Sequence, residues 1–424
     1  MKRIGFRLNR RALLGGAAAS LAAPLIIPQS VLGAKWPQFR GKRGDGIVDV
    51  KNVPLRWSAS ENIAWRTEVP GAGWSSPVLA DDKIWMTTAE VESKSSVVLK
   101  AVEVDLATGE LGRIVDLFRT SDPVSLHKNN SHASPSPVTD GARLYCHFGT
   151  YGTCCLDTIT GKVLWRNQEH QLDHDTGPSS SPVLVGEHLI FPCDGEDVQY
   201  VAALNKDTGK TVWRTKRPEH RGREKSHATP LTIQVDGQPQ VIIPGAQWLC
   251  AYVPTSGKEI WRFDFGDGYS VVPRPVYGNG VVYICTGFNR TDLVAVRVQG
   301  QGDVTATNEV WRFSRQVPKI PSPVLADDRL YMVSDQGVVT CVDTTTGDSV
   351  WVDRLGGNYS ASPTLADGRI YFCNEKGRTT VIEPGDKYKV LAENDLNEMI
   401  KSTPVFIDGS ILMRSAQAIY RIGT

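Results

Sequence analysis

The sequence predicts an all-β fold, an eight-bladed β-propeller made of four-stranded antiparallel blades, and three observations lead to this prediction. A segment with the same pattern recurs along the chain, each copy includes a tight turn, and most copies end on a tryptophan. Such internal repeats are typical of solenoids and propellers, and four short strands per repeat describe a propeller blade. The 39 glycines and 25 prolines agree with this prediction, because these residues punctuate a chain at its reversals.

The repeats align on a marker proline that opens the first strand of each copy. The segment Ser322–Trp351 can be laid over Ser136–Trp165 without a gap, and shorter matches begin at Ser76 and Ser362. The eight marker prolines are Pro77, Pro137, Pro182, Pro230, Pro275, Pro323, Pro363 and Pro404. We therefore expect eight blades.

Each repeat contains the same local signals in the same order. An apolar strand after the marker ends in a tight turn such as Asp327-Asp328, and two further strands lead to a turn of the form Asp-x-x-Thr-Gly. The turn glycine can take a positive φ, and the aspartate can accept hydrogen bonds from the turn's own amides. The fourth strand ends on a tryptophan, which is Trp165, Trp213, Trp261, Trp311 or Trp351. We find no helix-period run of about ten residues before the last repeat, which argues against a parallel α/β fold.

The two ends of the repeat region complete each other. The last marker supplies only three strands before Thr424, whereas Glu61–Pro70 has the pattern of a fourth strand and contains Trp65. We expect this early segment to complete the last blade, so that the ring closes without an exposed sheet edge.

The first residues have the pattern of an export signal. Residues 1–34 combine a basic start, the pair Arg10-Arg11, a short apolar run and a small-residue end at Gly33-Ala34. The run is too short to span a bilayer, so we interpret it as a twin-arginine signal peptide, followed by a single propeller domain over 35–424. An uncleaved anchor is the alternative, because Leu32 fits the cleavage pattern poorly. This interpretation predicts a periplasmic or extracytoplasmic protein that is exported already folded.

The charge pattern restricts the classes of partner. The chain has 47 Lys and Arg against 46 Asp and Glu, and no basic run follows the N-terminus. Nucleic-acid binders concentrate positive charge, so nucleic acid is not an expected partner. We expect a monomer with no transmembrane span in the mature chain.

The repeats with the Asp-x-x-Thr-Gly-x-x-x-Trp ending resemble the PQQ-like repeat of the quinoprotein alcohol dehydrogenase-like eight-bladed propellers. The stretch WPQFRGKRGDG at Trp36–Gly46 is similar to the opening of exported bacterial PQQ-binding-like propeller proteins. The resemblance covers nearly the whole mature chain and implies the fold. It leaves the activity open, because the superfamily includes calcium- and quinone-dependent dehydrogenases, scaffold proteins of outer-membrane assembly, and sensor domains.

The adjacent cysteines Cys154 and Cys155 are predicted to pack rather than to react. Cys155 and Cys341 both come two residues before the turn aspartate, so they occupy one position in the third strand. Strand alternation would direct Cys154 and Cys155 to opposite faces, and a bridge between neighbours would distort the strand. A functional disulfide, implied by the dehydrogenases' neighbouring-cysteine bridge, and a metal or thiol-redox role are the alternatives.

The candidate site is the mouth of the central channel. In a propeller, the connection that enters each innermost strand lies at this mouth, so the residues shortly before the marker prolines form a ring. The polar, aromatic and basic residues there, which we predict to bind ligand, are Trp74, Asn130, His132, His174, His227, Arg274, Lys319, Tyr359 and Lys401. Because Arg274, Lys319, Lys401 and His227 come from four repeats, their convergence would favour an anion.

We predict an exported, non-catalytic binding or scaffold propeller that engages a protein partner, a small anionic or planar ligand, or a glycan at this basic mouth. No catalytic residue, metal ligand or cofactor is assigned from the residues, and the resemblance implies PQQ and calcium as candidates. The alternative function is a PQQ- and calcium-dependent quinoprotein dehydrogenase, with Asp173 and Asp175 as the available carboxylates. A glycan hydrolase or lyase is a third alternative, without an identifiable acid/base pair.

Overall fold

The computed structural model describes residues 36–173 and 175–423, and it confirms the predicted eight-bladed propeller. Each blade has four antiparallel strands, and blades 4 and 7 each have a short parallel strand in addition. The inner strands of blades 1 to 4 contact one another in chain order, as do those of blades 5 to 7. Hydrogen bonds join blade 4 to blade 5, blade 7 to blade 8, and blade 8 to blade 1, so the blades follow in chain order around the ring. The signal-peptide prediction for residues 1–34 lies outside the described residues.

In each of blades 1 to 4, the first strand lies at the channel and the fourth lies at the outer edge. Blade 1 consists of Val78–Ala80, Lys83–Ser93, Ser96–Asp105 and Leu111–Thr120. Blade 2 consists of Val138–Thr139, Arg143–His147, Thr153–Asp157 and Val163–Asn167. Blade 3 consists of Val183–Val185, His188–Asp194, Gln199–Asn205 and Thr211–Lys216. Blade 4 consists of Leu231–Val235, Gln238–Pro244, Trp248–Tyr252 and Glu259–Asp264, with Gly302–Asp303 as a short parallel fifth strand.

The same order applies to blades 5 to 8. Blade 5 consists of Val276–Gly278, Val281–Cys285, Leu293–Arg297 and Glu309–Phe313, the last preceded by the helix Thr305–Asn308. Blade 6 consists of Val324–Ala326, Arg329–Val333, Val338–Asp343 and Ser349–Arg354. Blade 7 consists of Thr364–Ala366, Arg369–Cys373, Arg378–Ile382 and Val390–Asp395, and Ile47–Val48 pairs in parallel with its inner strand. Blade 8 consists of Val405–Ile407, Ser410–Arg414, Ala418–Gly423 and the early strand Ile63–Glu68.

The predicted ring closure is confirmed by the composition of blade 8. Ile63–Glu68 pairs antiparallel with Ala418–Gly423, and Trp65 lies opposite Arg421. Exposure alternates along Ile63–Glu68, as expected for an outer strand with one face against its blade. The second and third strands are buried on both faces instead, because each blade packs between two others.

The repeated tryptophan connects each blade to the next one. Trp165 at the end of blade 2 donates its Nε1–H to the carbonyl oxygen of Lys206 in blade 3, at 2.9 Å. Its indole lies on Gly209 of the blade 3 turn, where an added Cβ would come within 2.5 Å of the ring. Gly209 also has a φ of +70°, so two constraints require glycine there. The pairs Trp65–Gly109, Trp213–Gly257 and Trp311–Gly347 repeat this contact.

The adjacent cysteines pack in two different interfaces, as predicted. Cys154 belongs to the apolar core between blades 1 and 2, and Cys155 to the core between blades 2 and 3. Cys155 lies opposite Trp165 as Cys341 lies opposite Trp351, which confirms that the two cysteines share one position. Every cysteine in the described chain is free and buried. Burial raises the pKa of the Cys155 thiol, which favours the unreactive protonated form.

Among the described residues, no helix combines the length and the apolar character that crossing a bilayer would require.

Candidate functional site

A cavity of about 370 Å³ occupies the central channel. Its lining comes from all eight blades, because the connections that enter the inner strands converge on the axis. Phe39, which precedes the first blade, also lines the cavity. The aromatic and basic lining residues are Phe39, Trp74, His127, Lys225, His227, Tyr269, Phe288 and Lys401.

A hydroxyl ring surrounds the channel axis within this cavity. In seven of the eight repeats, the residue immediately before the marker proline is a serine or threonine that lines the cavity. The backbone amide of Ser76 donates to the Ser136 hydroxyl at 2.9 Å, and the amide of Thr403 donates to the Ser76 hydroxyl at 3.1 Å. The same bond links the other blades in order, apart from one gap. The hydroxyl ring consists of Ser76, Ser136, Ser181, Thr229, Ser322, Ser362 and Thr403.

The gap in the hydroxyl ring lies at blade 5, where Arg274 takes the eighth position. Arg274 is 1% exposed, and its amide donates to the Ser322 hydroxyl as in the other blades. Its guanidinium donates instead to the carbonyl oxygens of Pro230 at 2.9 Å and Phe39 at 2.6 Å, and to the Gln38 amide oxygen at 3.1 Å. Burial, followed by repulsion from Arg40, lowers the pKa of Arg274 to about 9.

Residues 36–46, which we call the channel plug, close one end of the cavity. The plug begins at blade 1, where Trp36 pairs with Leu79, and its Pro37 carbonyl accepts the Thr139 amide of blade 2. The Arg40 guanidinium donates to the Pro323 carbonyl of blade 6 at 2.6 Å. Finally, the Gly46 carbonyl accepts the amide of Leu365 in blade 7 at 2.8 Å. The plug therefore crosses the channel and places Phe39 against the cavity.

Two lysines lie beside aromatic rings at the mouth of the cavity. Lys401 Nζ lies 5.3 Å from the centroid of the Trp74 ring, and Lys319 Nζ lies 5.2 Å from that of Phe288. Trp74 belongs to blade 1 and Phe288 to blade 5, which are opposite each other in a ring of eight. At these distances, a cation interacts with the negative face of an aromatic ring.

The charge of the cavity lining is positive. Lys225 is neutralised, since its ammonium lies 2.6 Å from Asp175 and 2.8 Å from Glu196. Lys401 has no carboxylate partner among the described residues. No aspartate or glutamate of residues 36–173 or 175–423 lines the cavity.

Four of the predicted ligand-binding residues line the cavity together, namely Trp74, Asn130, His227 and Lys401. Asn130 also connects blades 2 and 3, because its Nδ2 donates to the carbonyl oxygen of Thr176 at 2.8 Å. His227 is 5% exposed, and its Nε2 lies 3.2 Å from the Thr176 hydroxyl. These contacts hold both side chains in fixed orientations at the wall.

The other predicted residues lie elsewhere. His132 is buried against Tyr151, with 2.9 Å between its Nδ1 and the phenolic oxygen, and burial lowers its pKa. Tyr359 belongs to the core between blades 6 and 7. Arg274 binds the plug, and Lys319 contacts Phe288 without lining the cavity. The prediction for His174 lies outside the described residues.

The hydroxyl ring, Phe39, Tyr269 and Phe288 also line the cavity and were not predicted from the sequence. The hydroxyl ring could have been predicted from the sequence, because a serine or threonine precedes seven of the eight marker prolines. No sequence pattern predicts Phe39 and Phe288 at the site, since both come from segments outside the connections that precede the markers.

The donor atoms of the cavity do not fit a calcium ion. Calcium takes hard oxygen ligands that include carboxylates, whereas the lining offers hydroxyls, amides and basic groups. Asp175 forms an ion pair with Lys225, and Asp173 is not part of the lining. No group of three His, Cys, Asp or Glu side chains in the described chain could hold a metal. The lining also offers aromatic rings, such as Trp74 and Phe288, and hydroxyl groups.

Sequence comparisons match this chain to one protein family and to two known enzymes. The PQQ_2 family model, described as outer membrane protein assembly factor BamB, matches residues 118–242 and 300–390. A quinoprotein ethanol dehydrogenase of Pseudomonas aeruginosa is 31% identical over 157 residues, which cover 34% of this chain and 24% of that enzyme. The corresponding enzyme of Pseudomonas putida is 27% identical over 156 residues, again 24% of its length. The matched region thus spans about a quarter of the length of each of these two enzymes.

Solved structures share the fold at low sequence identity. BamB from Moraxella catarrhalis is 13% identical with a TM-score of 0.56, and the match covers 85% of this chain and 99% of that one. A europium-containing methanol dehydrogenase is 11% identical with a TM-score of 0.66, over 93% of this chain and 92% of that one. At these identities, the likeness concerns the fold alone.

Proposed function

This chain belongs to the PQQ_2 family, described as outer membrane protein assembly factor BamB, and we propose that it is an exported, non-catalytic binding or scaffold propeller. The observation that carries the proposal is the channel cavity, which is closed by the channel plug and lined by residues of every blade. No described carboxylate lines the cavity, so it lacks the Asp and Glu side chains that a calcium ion or a carboxylate base would require. The protein would engage its ligand or partner at the open mouth.

The mouth offers two means of recognition. Trp74 and Phe288 present flat apolar surfaces from opposite blades, against which a planar ligand or a protein side chain can stack. Lys401 adds a positive charge beside Trp74 that no described carboxylate neutralises. A partner with an acidic and aromatic surface suits this combination, and a glycan would use the aromatic surfaces alone.

A PQQ- and calcium-dependent dehydrogenase is the second candidate. It is favoured by the 31% identity to a quinoprotein ethanol dehydrogenase. The lack of carboxylates in the described cavity lining argues against its calcium site.

The test places a photocrosslinking amino acid at Asn129, which lines the cavity, and separately at Val212, an exposed residue on the outer strand of blade 3. We expect a specific crosslink in the native cell from position 129 only. The double variant Trp74→Ala/Lys401→Ala should abolish this crosslink while leaving the melting temperature unchanged. The purified protein with PQQ and calcium should show no dye-linked alcohol oxidation.

Equal crosslinking from both positions, or a crosslink that survives the double variant, would refute a binding role for the mouth. Alcohol oxidation that depends on added PQQ and calcium would establish the dehydrogenase instead.

A further inference from the structure

We propose that the inner part of the cavity is an anion site, in which the hydroxyl ring binds the carboxylate groups of the ligand among three buried arginines. This inference rests on the proposed function, since it assumes that the cavity receives a ligand, and it names the ligand's chemistry. It is carried by the hydrogen-bond pattern of the hydroxyl ring and by three buried guanidinium groups.

The hydroxyl ring presents donors to the channel axis. A serine or threonine hydroxyl has one proton to donate as well as lone pairs that accept. In the described chain, all seven ring hydroxyls accept a backbone amide, and none donates to a protein acceptor. Because the amides occupy the acceptor side, the protons remain for a ligand in the cavity. A ring of O–H donors matches an oxyanion.

Three buried arginines lie next to the hydroxyl ring. Arg40 donates to the carbonyl oxygen of Pro323, which follows the ring residue Ser322. Arg414 donates to the carbonyl and the hydroxyl of Ser75, which precedes the ring residue Ser76. Arg274 occupies the eighth ring position itself. Arg40 and Arg274 therefore lie on the plug side of the ring, and Arg414 lies on its mouth side.

None of these arginines has a carboxylate partner among the described residues. Arg40, Arg274 and Arg414 are 0%, 1% and 3% exposed, and their hydrogen bonds go to carbonyl, amide or hydroxyl oxygens. Nε and Nη1 of Arg40 are buried without any hydrogen-bond partner. Burial lowers the three pKa values to about 10, 9 and 9, so that the groups are still charged at pH 7.

Buried charges without a counterion are costly, and proteins normally pair them. The described cavity lining contains no carboxylate, and Asp45 of the plug, whose charge acts on Arg40 and Arg274, forms its ion pair with Arg43 instead. A ligand carboxylate at the hydroxyl ring would supply the counterion, and the enclosed channel would strengthen the attraction by focusing the field of the three guanidiniums. Phe39 at the closed end adds an apolar surface for the carbon skeleton.

The experiment is calorimetric titration with benzene-1,3,5-tricarboxylate, and with its neutral triamide as a probe of the same shape. An acidic hexapeptide with a free carboxyl terminus, compared with its amidated Asn/Gln counterpart, forms the second arm. The first arm tests free organic acids as the source of the carboxylate, and the second tests an acidic segment of a partner protein.

The matched variants are Ser136→Ala/Ser362→Ala, which removes two ring hydroxyls, and Ser402→Ala. Ser402 is equally buried next to the ring residue Thr403, but its hydroxyl already donates to the Arg414 carbonyl at 2.7 Å. We expect one of the two acids to bind more weakly as salt rises, and the neutral probes not to bind. The double variant should lose at least tenfold in affinity, because hydrogen bonds to charged groups are strong. Ser402→Ala should bind as the wild type does.

The inference fails if the neutral probe binds as well as its acid, if neither acid binds, or if the double variant keeps wild-type affinity. The crosslink from position 129 separates this failure from that of the proposed function. A specific crosslink without acid binding leaves the mouth as a binding surface and removes only the anion site.

Discussion

The guanidinium Nη1 of Arg274 donates a hydrogen bond of 2.6 Å to the carbonyl oxygen of Phe39, 235 residues earlier in the chain. This bond joins blade 5 to the channel plug at the one position where the hydroxyl ring is interrupted. An added Cβ on Gly44 would come within 2.2 Å of the same guanidinium, so the plug is shaped around this side chain. Arg274 thus replaces a ring hydroxyl with an anchor for the segment that closes the channel.

Replacing Arg274 by methionine should loosen the channel plug. The substitution leaves the Phe39 carbonyl and the Gln38 amide oxygen without their donor, so the plug should open more often while the blades persist. We expect amide hydrogen exchange within residues 36–46 to accelerate about tenfold or more, which corresponds to about 1.4 kcal/mol of lost protection. Arg414→Met is the control, because Arg414 is as buried but bonds Ser75 and Thr87 instead of the plug. Equal acceleration in both variants would contradict the anchoring role.

The contact between Trp65 and Gly109 should contribute to ring closure, because it joins blade 8 to blade 1. Trp65→Ala removes the indole and its hydrogen bond to the Leu106 carbonyl, which should destabilise the protein by about 3 kcal/mol. Gly109→Ala should cost a similar amount, since the residue has a φ of +74° and its Cβ would meet the indole at 2.6 Å. The double variant should cost clearly less than the sum, because removing the indole removes the clash.

The matched control for this cycle is Gly186→Ala. Gly186 has a similar φ of +59°, but a Cβ there would meet nothing within 4 Å, so only the backbone strain of about 1 kcal/mol remains. Urea unfolding of the four variants measures these differences. Full additivity of the Trp65 and Gly109 effects would show that the two residues do not act through their contact.

The fold was predictable because its information is local and repeated. Each blade carries its own marker, turn and tryptophan, so that neighbouring copies support one another, and the missing fourth strand after Pro404 pointed directly to Trp65. The site was less predictable. Trp74 and Lys401 follow from their position before a marker, but Arg274 has the same kind of position and turns to the channel plug. The orientation of the Arg274 side chain depends on its bonds to Phe39 and Gln38, and no local sequence pattern connects these two residues with blade 5.

The Cys154-Cys155 pair should remain reduced and unreactive in the folded protein. Both side chains are 0% exposed, and burial raises the pKa of Cys155. An aromatic disulfide reagent at pH 8 should therefore titrate neither thiol until urea unfolds the chain, and Cys155→Ala should cost about 1 kcal/mol. Mass spectrometry of the peptide that contains both residues checks the redox state. A mass 2 Da lower than that of the dithiol form would identify a bridge.

Acid should destabilise the protein through His220. Burial, followed by the positive charge of Arg217, lowers the pKa of His220 to about 4 from its usual 6.5. Between these values, the unfolded chain binds a proton that the folded protein does not, so stability falls as the pH falls from 6.5 towards 4. We expect His220→Gln to lose less stability than the wild type between pH 7 and pH 5, as measured by urea unfolding. Parallel pH profiles for the two proteins would exclude this contribution.

Calcium should leave the stability of the protein unchanged. A ligand that binds only the folded state raises the melting temperature with its concentration, and millimolar calcium would reveal even a weak site. The described cavity lining offers calcium no carboxylate, and the buried Arg40, Arg274 and Arg414 beside it would repel a divalent cation. Thermal unfolding with calcium chloride should therefore match that with magnesium chloride at equal ionic strength. A shift produced by calcium alone would reveal a calcium site, and together with alcohol oxidation in the presence of PQQ it would favour the dehydrogenase over the binding propeller.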